Sequence, residues 1–144
     1  MSPIALASDH AGLPLKEHLA DWLREQGHSV MDLGTMSAES VDYPDYADRL
    51  CAAVLDGRAE RGVLVCNTGI GMSMAANRHK GIRAALCLYP RMAHYARHHN
   101  DANVLVLGGG LIGTHIAREI AETFLREEFD GGRHARRTGK LDSV

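Results

Sequence analysis

Short unbroken apolar runs alternate with longer amphipathic stretches along the chain. "IALAS" (4–8) predicts a strand. "LPLKEHLADWLREQG" (13–27) predicts a helix, because Leu15, Leu19, Trp22 and Leu23 share one face. Pro14 suits its first turn and Gly27 stops it. The alternation then repeats. "HSVMDLG" (28–34) predicts a second strand, and "YPDYADRLCAAVLDG" (43–57) a second helix, entered through Pro44 and ended by Gly57. "GVLVC" (62–66) and "IGMSMAANR" (70–78) form the third such pair. "IRAALCL" (82–88) and "PRMAHYARHH" (90–99) form the fourth. "NVLVLG" (103–108) and "THIAREIAETFLREEF" (114–129) complete the series, with Ile116, Ile120 and Phe124 aligned beside Ala117, Ala121 and Leu125.

Strands without polar alternation are buried on both faces, which implies a parallel sheet covered by helices. Five βα units with right-handed crossovers predict a Rossmann-like three-layer α/β sandwich with strand order 2-1-3-4-5. The whole of 1–144 reads as a single domain, with a basic C-terminal tail over 131–144. No internal repeat, low-complexity segment or linker interrupts it.

Composition narrows the functional classes. The formal net charge of -2 gives no global positive field for nucleic acid. Three cysteines, Cys51, Cys66 and Cys87, lie far apart with no CxxC pair, which fits a reducing compartment rather than a disulfide framework. "MSPIALASDH" has no basic leader region, and no run reaches membrane-spanning length. The expectation is a soluble cytoplasmic protein with no membrane or nucleic-acid partner.

In such a fold, ligands bind beyond the carboxyl ends of the strands, at the switch point between strands 1 and 3. Strand 1 ends in Ser8, Asp9 and His10; strand 3 ends in Cys66, Asn67, Thr68 and Gly69. A carboxylate, an imidazole and a thiol therefore share one predicted crevice. Singly, Asp9 reads as a helix cap and Cys66 as a small core residue. Gly69 and Gly71 leave the loop free to turn its N–H groups toward an anion at a helix N-terminus, which also favours a Cys66 thiolate. Such a thiolate suits nucleophilic attack or proton abstraction.

Other loop chemistries lack their residues. A cysteine-dependent phosphatase needs an arginine where Met72 stands. No Walker Gly-Lys-Ser/Thr occurs. Gly108 to Gly113 matches GxGxxG, but it lies in the last βα unit with no later strand to carry a ribose-binding acid, so it reads as a tight turn. His94 and His98 stand at a metal-binding spacing without a third ligand, and read as a solvated helix face.

"ASDHAG", "DLGT", "DYPDYA", "CNTGIGMSMAANRHKGIRAALC", "RHHNDANVLVLG" and "GGRHARR" occur collinearly from residue 4 to about residue 138. At these motifs the chain strongly resembles type B ribose-5-phosphate isomerases, which share a superfamily with the galactose-6-phosphate isomerase subunits. The resemblance implies a Rossmann-like sheet, a homodimer or homotetramer, no metal and no organic cofactor. It implies interconversion of aldose and ketose phosphates through a cis-enediolate. Cys66 is then the base between C2 and C1. Thr68 and the backbone of Asn67, Gly69, Ile70 and Gly71 hold the enediolate. His99 opens the furanose ring, with Asp9 assisting at the hydroxyls. Asn100 and Tyr43 bind hydroxyls, and His10, Arg133 and Arg137 bind the phosphate.

The residues agree with this chemistry independently. A proton next to a carbonyl is removed by a base poised near neutrality, and an enediolate needs dipoles aimed at its oxygens. Of the tail cations Arg133, Arg136 and Arg137, only Arg133 and Arg137 stand four apart, on one helical face. His99 and Asn100 end the fourth helix, which runs antiparallel to the strands. They are therefore expected at the sheet edge away from their own crevice, reaching a neighbour's site across a two-fold axis. Two positions depart from the family pattern: Asn67 replaces a frequent glycine, and Gly110 a frequent arginine that helps to bind phosphate. Both leave the sugar open, with allose 6-phosphate and a tetrose phosphate as alternative substrates; a non-enzymatic nucleotide- or phosphometabolite-binding module is the other alternative.

Overall fold

A computed structural model describes residues 2–144; Met1, the first residue of the stretch examined above for a leader, lies outside them. The elements follow the order β1 (Ile4–Ser8), α1 (Leu13–Glu25), β2 (Val30–Asp32), α2 (Tyr43–Leu55), β3 (Arg61–Cys66), α3 (Ile70–Ala76), β4 (Ala84–Leu86), α4 (Pro90–His98), β5 (Val104–Gly108), α5 (Thr114–Arg126) and α6 (Arg133–Asp142). Pro14, Pro44 and Pro90 stand in the first turns of α1, α2 and α4, where a missing N–H costs nothing.

All five strands are parallel in one Rossmann-like sheet, but the order is β2-β1-β3-β5-β4 rather than the expected 2-1-3-4-5. The reason lies in burial. β5, "VLVLG", is buried at all five positions and sits inside the sheet beside β3. β4 has three residues, "AAL", all partly exposed, and forms the edge. The swap sets Gly108 in register with Cys66, so the turn after β5 packs against the end of β3.

Helices cover both faces. Leu15, Leu19 and Leu23 of α1, Ala93 of α4, and Ala117, Ile120 and Phe124 of α5 close one face with Leu6, Val63, Val65, Leu105 and Leu107. Leu50 and Cys51 of α2, and Met72 and Ala76 of α3, close the other with Ala5, Ala7, Leu64 and Val106. Burying each large aliphatic side chain here contributes about 1.5–3 kcal/mol. The α5 stripe is narrower than expected: Ile116 lies 37% exposed, and Ala117, Ile120, Ala121 and Phe124 form the buried face.

The basic tail is also a helix. Gly131 and Gly132 take positive φ, a conformation glycine adopts freely, and turn the chain into α6. His134 and Thr138, one turn apart, are its buried positions, while Arg133, Arg136 and Arg137 face outward.

Candidate active site

The carboxyl edge of the sheet gathers the first group of candidate residues. Cys66 ends β3 and is 5% exposed. The chain then reverses at Gly69, whose φ of 81° opens α3. That turn aims the Gly69 N–H at the Cys66 sulfur, 3.2 Å away. Sulfur is thus the acceptor, the arrangement a thiolate takes up. The Thr68 hydroxyl accepts the Ile70 N–H at 3.2 Å, which fixes the side chain over the loop. Tyr43 packs its ring against Gly71, where a Cβ would meet ring carbons at 2.6 Å. Only glycine admits the tyrosine at this distance.

Asp9 and His10 follow β1 into the same crevice. Asp9 is 7% exposed and accepts the Gly12 N–H at 2.9 Å through Oδ1, so the capping role read from the sequence is present. Its other oxygen has no such duty. Gly12 is required there, because a Cβ would collide with the Val65 carbonyl. His10 accepts the Val41 N–H at 3.2 Å on Nδ1. Its proton therefore sits on Nε2, which becomes a donor.

The three thiols differ sharply. Burial, with Asp48 adding, pushes Cys51 up to about 12. Burial alone pushes Cys87 up to about 12. Both stay protonated and inert at neutral pH. Cys66 alone ends a strand at the crevice with a backbone donor on its sulfur.

The glycine run 108–113 serves packing. The Gly109 N–H donates to the Cys66 carbonyl at 2.8 Å, and the Gly110 N–H to the Asn67 carbonyl at 2.9 Å. A Cβ at Gly108 would sit 2.6 Å from the Thr68 carbonyl oxygen. These N–H groups buttress the cysteine loop and are not turned toward a pyrophosphate. The same contacts connect the two departures noted above. A Cβ at position 110 would collide with Asn67 Oδ1, so the Asn67 side chain occupies the space that Gly110 leaves.

The second group lies elsewhere. His99 caps α4 and Asn100 follows it, at the amino edge of the sheet. Arg83, next to the start of β4, bonds the Asp101 carbonyl at 2.9 Å, and Asn103 bridges to Gly81 and Arg83. Cys66 ends a six-residue strand, so one strand length, about 17 Å, separates the two groups within one chain. Arg133 and Arg137 belong with His99, since the ring of His134 between them stacks on His99 at 4.3 Å. His10 and these arginines therefore cannot grip one phosphate within a single chain.

Sequence reasoning missed several positioning residues. Lys16 is fully buried, with Nζ bonding Asp32 Oδ1 at 2.6 Å and the Thr35 carbonyl at 2.8 Å. It pins the loop after β2, whose Gly34 carbonyl and Thr35 N–H bond the backbone of Ser8, just before Asp9. Lys16 stands three, four and seven residues before the buried Leu19, Ala20 and Leu23, so the period of α1 places it on the apolar face; its charge alone argued for solvent. Asp101, at φ 47°, accepts Arg97 at 2.9 Å and Arg83 at 3.3 Å, and Arg83 also bonds Asp142 of α6 at 2.9 Å. His94 is half-buried against Glu127, 3.2 Å away, so its helix face is packed rather than fully solvated. Among the described residues no group of three or more His, Cys, Asp or Glu side chains is placed to hold a metal ion, and no helix is long and apolar enough to cross a membrane.

A parallel α/β sandwich with a cysteine loop at its switch point defines a class of small-molecule enzyme site. The chain belongs to the ribose/galactose isomerase family, which matches residues 4–141. It is 41% identical over 144 residues to ribose-5-phosphate isomerase B of Escherichia coli K12, covering 100% of this chain and 97% of that one. It is also 41% identical over 142 residues to a D-erythrulose-4-phosphate isomerase of Pectobacterium atrosepticum, covering 98% and 93%. Its fold matches the crystal structure of a ribose 5-phosphate isomerase from Thermotoga maritima with TM-score 0.98 at 56% identity, over 99% of each chain.

Proposed function

We propose that this protein interconverts ribose 5-phosphate and ribulose 5-phosphate through a cis-enediolate, with Cys66 as the base. The observation that carries the assignment of the base is the Gly69 N–H on the Cys66 sulfur, at the one crevice where Asp9 and His10 also converge. The Cys66 thiolate takes the C2 proton of the open-chain aldose. The electron pair forms the C1–C2 double bond, and charge passes to O1. The thiol returns its proton to C1, while the hydroxyl proton moves from O2 to O1. The loop 67–71, with Thr68, supports the developing oxyanion. Asp9 assists at the hydroxyls, Tyr43 and Asn100 bind hydroxyls, and His10 donates from Nε2 to the phosphate.

His99 opens the furanose ring, and Arg133 and Arg137 complete the phosphate grip, from a second subunit. The separation of the two groups across the sheet supports a homodimer in which each crevice is completed by its partner's amino edge. The amino edge has the shape for such docking. A cleft of about 490 Å³ there is lined by Asn100, Ala96, Ile82, Leu141 and Val144, with Leu141 and Val144 exposed. The chemistry is that of a cytoplasmic enzyme of carbohydrate metabolism that needs no cofactor. An isomerase assay over aldose phosphates of four to six carbons tests reaction and substrate together; turnover fastest with the five-carbon substrate is expected.

A tetrose phosphate is the second reading. It is favoured by the similarity to the erythrulose-phosphate enzyme and by Asn67, whose side chain fills the space over Gly110 beside the cysteine loop. Faster turnover of the four-carbon aldose phosphate than of ribose 5-phosphate would establish it.

A further inference from the structure

We propose that His134 is a positioning residue for His99, a flat plate on which the ring that opens the furanose is stacked and held. The inference rests on the reading of His99 given above. The two imidazoles lie with centroids 4.3 Å apart and planes 9° apart, nearly parallel. They come from different elements, the end of α4 and the first turn of α6, so the stack is a tertiary contact. Tyr95, one turn before His99 on α4, adds a tilted ring at 4.8 Å. An imidazole that must present a proton to a substrate oxygen in another subunit has to keep its ring plane fixed, and α4 ends at this residue.

His134 turns inward, away from the phosphate. It is 8% exposed, whereas Arg133 and Arg137 on the same helix are exposed. The arginines are thus the groups offered to an anion. Four groups bear on the His134 proton: His99 from α4, Arg133 and Arg137 from its own helix, and Asp130 from the segment before α6. Burial, His99 and the two arginines lower its proton affinity below the ordinary imidazole value, against Asp130. A neutral plate suits a neighbour that cycles through a cationic state, because two imidazolium rings would repel and a neutral π face does not.

The far end of α6 is tied to the same place. Asp142 bonds Arg83 at 2.9 Å, Arg83 bonds Asp101 at 3.3 Å, and Asp101 follows His99 by two residues. The helix that carries His134 is therefore fixed relative to His99 at both ends.

The test separates ring opening from proton transfer. Ribose 5-phosphate is mostly a closed furanose; ribulose 5-phosphate, whose O5 carries the phosphate, is open-chain. Solvent deuterium exchange at C1 of ribulose 5-phosphate needs the base and not ring opening. In His134→Leu, kcat with ribose 5-phosphate should fall about tenfold or more at nearly constant KM, while the C1 exchange rate holds. His134→Phe keeps a stacking ring and should restore most of the lost kcat. An equal fall in both reactions, a rise in KM alone, or a Phe variant as slow as the Leu variant would overturn the proposal. His99→Asn is the control: if it fails to slow ribose 5-phosphate selectively, the assignment of His99 itself is wrong. If His99→Asn shows the selective loss and His134→Leu does not, only the role of His134 falls.

Discussion

The two edges of one sheet are built in different ways. At the carboxyl edge, backbone does the work. Gly12, Gly69, Gly71 and Gly108 let main chain and the Tyr43 ring pack closely on the loop that follows Cys66 and on the end of β3, and peptide N–H groups supply the donors. At the amino edge, side chains do it. His99 stacks on His134, and Arg83, Arg97, Asp101 and Asp142 lock the loop and helix that bear the cations. The proton transfer proposed at Cys66 would benefit from fixed dipoles that do not reorganise. The phosphate contacts proposed for Arg133 and Arg137 draw on charge and reach, which their guanidinium side chains supply.

Removing the proposed base should have the largest effect. Cys66→Ala should lower kcat by at least about 10²–10⁴-fold, the range for a lost general base, with the circular dichroism spectrum unchanged. Cys51→Ala, at an inert buried thiol, should leave kcat near wild type. Near-normal turnover in Cys66→Ala would remove it as the base.

Complementation tests whether the edges belong to different subunits. His99→Asn alone should be about a hundredfold slow. Mixed and refolded with Cys66→Ala, it should recover about a quarter of wild-type activity, because half the dimers are hybrids with one intact site each. A mixture no more active than its parents would confine each site to one chain. Arg137→Ala then probes the charged edge alone: KM should rise about tenfold, with kcat retained, since a charge-assisted contact to phosphate is lost.

Lys16→Met asks how much the carboxyl edge depends on its buried anchor. It leaves Asp32, itself partly exposed, and the Thr35 carbonyl without their ammonium, and urea unfolding should show a loss of about 1.5–3 kcal/mol. A loss below about 0.5 kcal/mol would make the pair a bystander.

The smallest effect is a pH slope. Burial, then His99, Arg133 and Arg137, lower the proton affinity of His134 in the folded chain, from an ordinary value of 6.5. The unfolded chain therefore binds more protons as pH falls past about 6.5. This contribution is complete above that pH and lost below it. Between about pH 7.5 and 5.5 the Tm of the wild type should fall more than that of His134→Phe. Parallel slopes would mean that His134 keeps its ordinary affinity in the fold.

Much of this was legible along the chain. The alternation of apolar runs and amphipathic stretches marked ten of the elements, because strand and helix periods are local properties. The collinear motifs from Asp9 to Arg137 marked the family. The strand order was not legible, since "IRAALCL" and "VLVLG" both read as apolar strands. Which one lies inside depends on partners that only the assembled sheet supplies. Lys16 was passed over although its spacing to Leu19, Ala20 and Leu23 places it on the buried face, because a charge is accepted there only once Asp32 and the Thr35 carbonyl are brought to it; His134 was passed over because its partner ring, His99, comes from another element.

The sequence by itself determined the parallel α/β class, the βα units and a cysteine loop at the crevice, since periodicity, glycine placement and chain order are written residue by residue. Tertiary structure decided that β5 stands beside β3, that the basic tail is a helix with His134 against His99, and that Arg133 and Arg137 thereby join His99 at the edge where chain order had placed it. Those are statements about long-range contacts, settled by burial and mutual satisfaction of polar groups rather than by any local signal.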